Sequence, residues 1–400
     1  MKLARTILIT VTVIVGVFVS VGITRSSSKN KKMDLPDPLK TLDGRNVTSA
    51  KTWQAKRRGE ILELFRKHVY GRAPVGRPEN LKFKVEEVAK DALGGIATRK
   101  LVRISFEGPG GKGSMRVSVY VPNKAKGKPA PGFLLISHRA FGKVDPGAKG
   151  TNPFWPAKAI VERGYTAAVC FAQDIDPDKY DKFKNGVHGI FDKPDAPRPP
   201  DAWATIAAWA WGASRAMDYF ETDTDIDAKR IAVIGHSRGG KTSLWCGAED
   251  QRFAMVISNN SGCSGAALAR RKSGETVARI NRGFPHWFCD NYSKFNGKEE
   301  DMPVDQHMLV ALAAPRPVYV ASASRDSWAD PLGEFLACVH AAGVYKLFGL
   351  KGLGAAEMPK PESPLQSGHI GYHVRTGRHG LTEYDWKCYM DFADKHFRKK

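Results

Sequence analysis

The run Ile231-Ala232-Val233-Ile234-Gly235-His236-Ser237-Arg238-Gly239-Gly240-Lys241 carries a short apolar strand into a helix through Gly-x-Ser-x-Gly. Strand, sharp turn and helix in that order form the setting of a nucleophile elbow. A serine on such a turn sits in strained backbone and projects toward substrate. Side chains two residues to either side would meet the neighbouring strand and helix, which accounts for Gly235 and Gly239. The helix, read from Gly240 to Gly247, aims its free N–H groups at the place where an oxyanion would develop.

Outward from the elbow, the chain alternates strands and helices. A helix is expected from Thr52 to Tyr70, with Ile61, Leu62, Leu64 and Phe65 at helical spacing and Gly71 at its end. Lys100 to Phe106 and Met115 to Val121 alternate apolar and polar residues and read as a hairpin about the Gly108–Gly113 turn. Later runs are apolar on both faces: Phe133–Ile136, Thr166–Phe171, Ile231–Ile234, Met255–Ile257, Val318–Ala321 and Tyr345–Phe348. Such strands suit a parallel sheet covered on both sides. A strong helix is read from Asp201 to Phe220, and the Asp-, Lys- and Pro-rich stretch 174–200 reads as a surface insertion. The pattern is that of an α/β-hydrolase fold: a mostly parallel central sheet in a three-layer αβα sandwich.

A serine hydroxyl needs a base, and the base needs an orienting carboxylate, in chain order Ser, acid, His for this fold. After the strand Val318–Ala321 stand Asp326 and Asp330. Asp330 precedes Pro331 and a helix read to Ala342, which makes it a natural N-cap. Asp326, nearer the strand end, is the better acid, with Asp330 as the alternative. For the base, His379 in the loop Gly377-Arg378-His379-Gly380 is preferred, then His369. His373 in the strand-like Ile370–Val374 reads as structural, and His396 in the last helix as solvated. His369 and His373 lack a third ligand, so no metal and no cofactor are expected.

The net charge of +21 favours acidic partners. No helix-turn-helix, zinc-finger or RNA-recognition signature accompanies it, so nucleic acid is not the expected partner. A uronic-acid-bearing polysaccharide fits the charge equally well. Lys2 and Arg5 precede an uncharged apolar run from Ile7 to Ile23, the layout of an export signal. Residues 1–32 are read as that signal, or a membrane tether through residues 7–23, with a linker; 33–400 are the catalytic domain, expected as a monomer. The exported product would be periplasmic or extracellular. The six cysteines are widely spread without a CxxC pair, which argues against zinc ligation and leaves room for one or two unassigned disulfides.

Gly235-His236-Ser237-Arg238-Gly239-Gly240-Lys241 resembles the G-x-S-R-x-G-K motif of the glucuronoyl esterases, carbohydrate esterase family fifteen. The resemblance extends from about residue 50 through Val69-Tyr70-Gly71-Arg72, Asn260-Ser261-Gly262, Gly274-Glu275 and Phe284-Pro285-His286-Trp287-Phe288. It continues through Asp326-Ser327-Trp328-Ala329-Asp330-Pro331 to Arg375-Thr376-Gly377-Arg378-His379, and its overall look is bacterial. It implies hydrolysis of esters between glucuronic acid on xylan and lignin alcohols. By position it makes Ser237 the nucleophile, His379 the base and Arg238 an oxyanion donor, with Lys241, Glu275 and Trp328 lining the sugar pocket. Many members carry a Glu where this chain has Asn260, and an amide cannot stabilise an imidazolium as a carboxylate does, which again points to Asp326. Fungal members join the residues beside the serine and the histidine by a disulfide; here they are His236 and Gly380. The rival readings are a polysaccharide acetyl esterase with the same machinery and a non-catalytic polysaccharide-binding protein.

Overall fold

The computed structural model describes residues 33–398 except 126, 146, 148–151 and 195. The expected export signal, tether and linker over 1–32 lie outside the described residues.

Nine strands form one sheet in the order β1-β2-β3-β5-β4-β6-β7-β8-β9. They are β1 (Lys82–Asp91), β2 (Ala97–Gly108), β3 (Gly111–Pro122), β4 (Ala130–Ser137), β5 (Thr166–Phe171), β6 (Ile226–His236), β7 (Met255–Asn259), β8 (Val318–Ala323) and β9 (Ile370–Arg375). β1 to β3 are antiparallel, and β3 meets β5 antiparallel. All remaining pairs are parallel, so the α/β-hydrolase sheet anticipated from sequence is present. β2 and β3 form the expected hairpin, but longer, from Ala97↔Pro122 to Gly108↔Gly111. β1 has no counterpart in the sequence reading. Its Lys- and Glu-rich run is almost wholly exposed, and its alternation of Phe83 and Val85 with charged residues breaks at the register shift between Val85 and Glu87, as suits a charged edge strand.

The helical run over residues 50–70 is found, with π turns at Trp53–Arg57 and Arg66–Tyr70. Helix α1 (Thr205–Phe220) is buried along its whole length, which explains its Ala and Trp content. It begins four residues later than read from sequence, because Trp203 N–H donates to the Arg72 carbonyl and holds residues 202–204 extended. Helix α2 (Arg238–Glu249) follows the elbow.

The stretch Tyr345–Phe348 is not a strand. Helix α3 (Pro331–Lys346) absorbs Tyr345, whose hydroxyl donates to the Arg316 carbonyl, and Leu347–Gly349 turn away. Four residues, three of them apolar, cannot be told from a helix end by periodicity, and here burial of Val344 and Tyr345 against the sheet decided it. The strand beside β8 is β9. Helix α4 (Glu383–Phe397) closes the described chain. The room left for disulfides is unused, since all six cysteines are free thiols, each buried. His396 is not solvated: it packs on Phe392 and His369, and burial together with the neighbouring His369 and Lys395 charges lowers its pKa to about 4.

Candidate active site

The parallel strands end together, and their C-terminal ends carry the site, as open α/β sheets favour. β6 delivers Ser237, β7 delivers Asn260, the loop after β8 delivers Asp326 and Trp328, and the loop after β9 delivers His379. These residues line one cleft of about 350 Å³ together with Arg238, Lys241 and Glu275.

Ser237 has φ 59° and ψ −124°, the strained elbow conformation. A Cβ on Gly235 would strike the Gly239 carbonyl, and one on Gly239 would come within 2.8 Å of the Ile136 oxygen on β4. Both glycines are thus dictated by the close approach of helix and strand. The Ser237 N–H donates to the Asn259 carbonyl (2.9 Å), which pins the turn to β7.

His379 Nδ1 lies 2.6 Å from Asp326 Oδ2, while Asn260 Nδ2 donates to that same oxygen at 2.9 Å. Burial works to raise the Asp326 carboxyl, but the hydrogen bonds from His379 and Asn260 outweigh it and hold it below the ordinary carboxylate range. With Nδ1 on the carboxylate, Nε2 is the nitrogen left to take a proton from a serine hydroxyl. Asp330, the alternative acid, does not line the cleft. Its carboxylate pairs with Arg271 (2.7 Å and 3.2 Å) and makes no side-chain cap, although it occupies the N-cap position before Pro331. His369 is also outside the cleft, against His396. His373 is structural as read, between the Tyr319 hydroxyl and Asp385.

His236, beside the serine, packs its ring 4.5 Å from that of His379 and shares a hydrogen bond with Asn259 Oδ1 (2.6 Å). Burial, with the charge of His379 adding to it, pushes its pKa down to about 3, so it remains neutral.

Lys241 is buried and spends two donors on the carbonyls of Ser261 (2.5 Å) and Cys263 (2.6 Å). Its third faces Glu275 at 3.6 Å. The pair therefore offers one ammonium N–H and a carboxylate to the cleft, enough to recognise adjacent hydroxyls. Gly274 makes this possible: its φ is +66°, and a Cβ there would meet the Ser327 carbonyl at 2.5 Å. Trp328 is 53% exposed on the rim, with the Arg279 guanidinium 5.5 Å from its ring.

The stretch 174–200 is more than a surface insertion. Asp176 is buried, and Asp178 Oδ2 accepts from Arg238 Nη1 while Oδ1 accepts from His286 Nε2 (3.0 Å) and Trp287 Nε1 (2.9 Å). Burial opposes ionisation of Asp178, yet those donors and the Arg238 charge bring its pKa to about 2. Nothing in the local sequence marked Asp178. The Phe284–Phe288 segment was visible as a motif without a role. Among the described residues, no group of three or more His, Cys, Asp or Glu could hold a metal, and no helix is long and apolar enough to cross a membrane.

Comparison with known proteins then places the chain. It is 45% identical to the carbohydrate esterase MZ0003 of an unknown prokaryotic organism, over 94% of this chain and 92% of that one. A glucuronoyl esterase structure from Solibacter usitatus, 43% identical, superposes with a TM-score of 0.85 over 91% of this chain and 98% of that one. The chain belongs to carbohydrate esterase family 15, the glucuronoyl esterases. The model of the fungal glucuronyl esterases matches residues 200–349, a span that holds Ser237, Lys241, Glu275, Asp326 and Trp328. A solved structure described as a promiscuous CE15 esterase from a marine bacterial metagenome is 45% identical with a TM-score of 0.84, covering 91% of this chain and 97% of that one.

Proposed function

We propose that this glucuronoyl esterase is exported and cleaves 4-O-methyl-glucuronoyl esters between glucuronoxylan and lignin alcohols through an acyl-enzyme. The observation that carries the reading is the meeting of Ser237, the His379–Asp326 pair, Arg238 and the Lys241–Glu275 pair in one cleft. Ser237 Oγ attacks the ester carbonyl as His379 Nε2 takes its proton, and Asp326 steadies the imidazolium. Arg238 and the first N–H groups of α2 face the tetrahedral oxygen, where one charged donor is worth roughly 10²–10³ in rate. His379 returns the proton to the departing alcohol, and water then repeats the sequence on the acyl-enzyme.

Lys241 and Glu275 select the acyl part. A sugar lacking the matching hydroxyls would leave the third Lys241 N–H and the Glu275 carboxylate with only their long 3.6 Å contact to each other, a penalty that disfavours it. Trp328 supplies an exposed ring against a sugar face. The chain's positive charge suits a uronate-bearing polymer. A wider ester range is the second reading, favoured by the likeness to the esterase described as promiscuous.

The test is the purified chain on benzyl glucuronate and on an acetyl ester. Ser237→Ala should abolish both activities with folding intact. Glu275→Ala should depress only the first; loss of neither would defeat the assignment of acyl selection to this pair. It is a cleaner probe than Lys241→Ala, which would also free the Ser261–Cys263 loop.

A further inference from the structure

We infer that Asp178 is a positioning residue for the reaction. Together with the Phe284–Phe288 segment it clamps the Arg238 guanidinium in the place where the oxyanion forms. The inference rests on the reading of Arg238 as an oxyanion donor.

An arginine side chain has many rotamers, and holding it in one place costs entropy. A donor that must act when charge develops is effective only if it is ordered beforehand. Arg238 has two restraints that supply this order. Its Nη1 donates to Asp178 Oδ2. Its guanidinium also lies 4.6 Å from the Trp287 ring and 5.3 Å from that of Phe284. Those rings stack on each other at 3.7 Å and 3°, so they form a rigid floor. Asp178 is in turn fixed by the same segment, through His286 Nε2 and Trp287 Nε1 on its other oxygen. One short stretch therefore supplies both the rings beside the guanidinium and the donors that hold its partner carboxylate.

The arrangement is specific in chemistry as well as in shape. Among the described residues Arg238 Nη2 makes no hydrogen bond to protein, so its N–H groups remain for substrate. The carboxylate stays ionised, since its three donors all favour the charged form. An amide at this position cannot replace it. With its oxygen taken by His286 and Trp287, its NH₂ would face the N–H of Arg238, donor against donor.

The test is a double-mutant cycle on the full chain, with kcat and KM for benzyl glucuronate and thermal melts for each variant. Asp178→Asn and Asp178→Ala should lower kcat on the order of 10–100-fold, less than outright loss of a donor at about 10²–10³. KM should stay within about threefold of wild type. In an Arg238→Ala background, Asp178→Ala should cost nothing further, because there is no guanidinium left to place. The isosteric Asn variant carries the test if the Ala variant melts below assay temperature. Unchanged kcat in the Asn variant, a loss confined to KM, or an equal loss in both backgrounds would overturn the clamp. If Arg238→Ala itself keeps wild-type kcat, the oxyanion reading has failed, and the inference falls with it.

Discussion

Changing Asp326 to Asn should remove most activity and leave stability nearly intact, whereas Asp330→Asn should keep the activity and cost stability. The amide introduced by Asp326→Asn can still offer an oxygen to His379 Nδ1 and Asn260 Nδ2, so the geometry persists and only the charge is lost. The size follows from the 2.6 Å contact. Two unit charges at that distance attract by about 6 kcal/mol at an effective dielectric of about 20. The His379 side chain is 44% exposed, so screening is stronger. A dielectric of about 40 gives about 3 kcal/mol. At 1.36 kcal/mol per decade, the range is roughly 10² to 10⁴ in kcat. Its upper end agrees with the loss of about 10⁴ that serine triads suffer when the acid becomes an amide. Asp330→Asn breaks an ion pair with Arg271 at the start of α3 and should cost about 1–3 kcal/mol of stability. Its kcat should stay within about threefold. Steady-state kinetics on benzyl glucuronate, paired with thermal melts, measure both effects. Equal losses of kcat in the two variants would refute the assignment of the acid.

Asn260→Ala should lower kcat by about three- to tenfold, since Asp326 loses one hydrogen bond but keeps its charge and its hold on His379; a loss beyond a thousandfold would mean that Asn260 acts in its own right. Glu334, fully buried under the Ser261–Gly262 turn, has its pKa raised by burial to about 7, against an ordinary value of 4.5. Folding therefore takes up a proton between those values, so its contribution to stability is fullest below about pH 4.5 and declines up to about pH 7. Glu334→Gln should flatten the melting temperature over that window, and parallel pH profiles for the two proteins would count against it. Gly235→Ala should destabilise by about 3 kcal/mol or more, because the new Cβ meets the Gly239 carbonyl and neither backbone can give way; a melt within a degree of wild type would show the elbow to be looser than drawn.

The sequence alone determined the features that repeat or strain the backbone. The elbow was legible because Gly235 and Gly239 are forced by contacts a few ångströms away, and the buried strands because both faces must be apolar. The order Ser237, Asp326, His379 was legible because the fold fixes where the strands end. What failed were weak local signals: the charged edge strand β1, and Tyr345–Phe348, where helix and strand patterns coincide over so short a run. Only the tertiary structure decided which of two nearby aspartates meets His379. Asp330 was taken by Arg271, a residue 59 positions away in the chain. Only the tertiary structure brought Asp178 across to Arg238, 60 residues on, and turned an anonymous insertion into part of the site. A carboxylate has no periodicity, and its role is set by which cation the fold delivers to it; that pairing is three-dimensional and leaves no mark on the neighbouring residues.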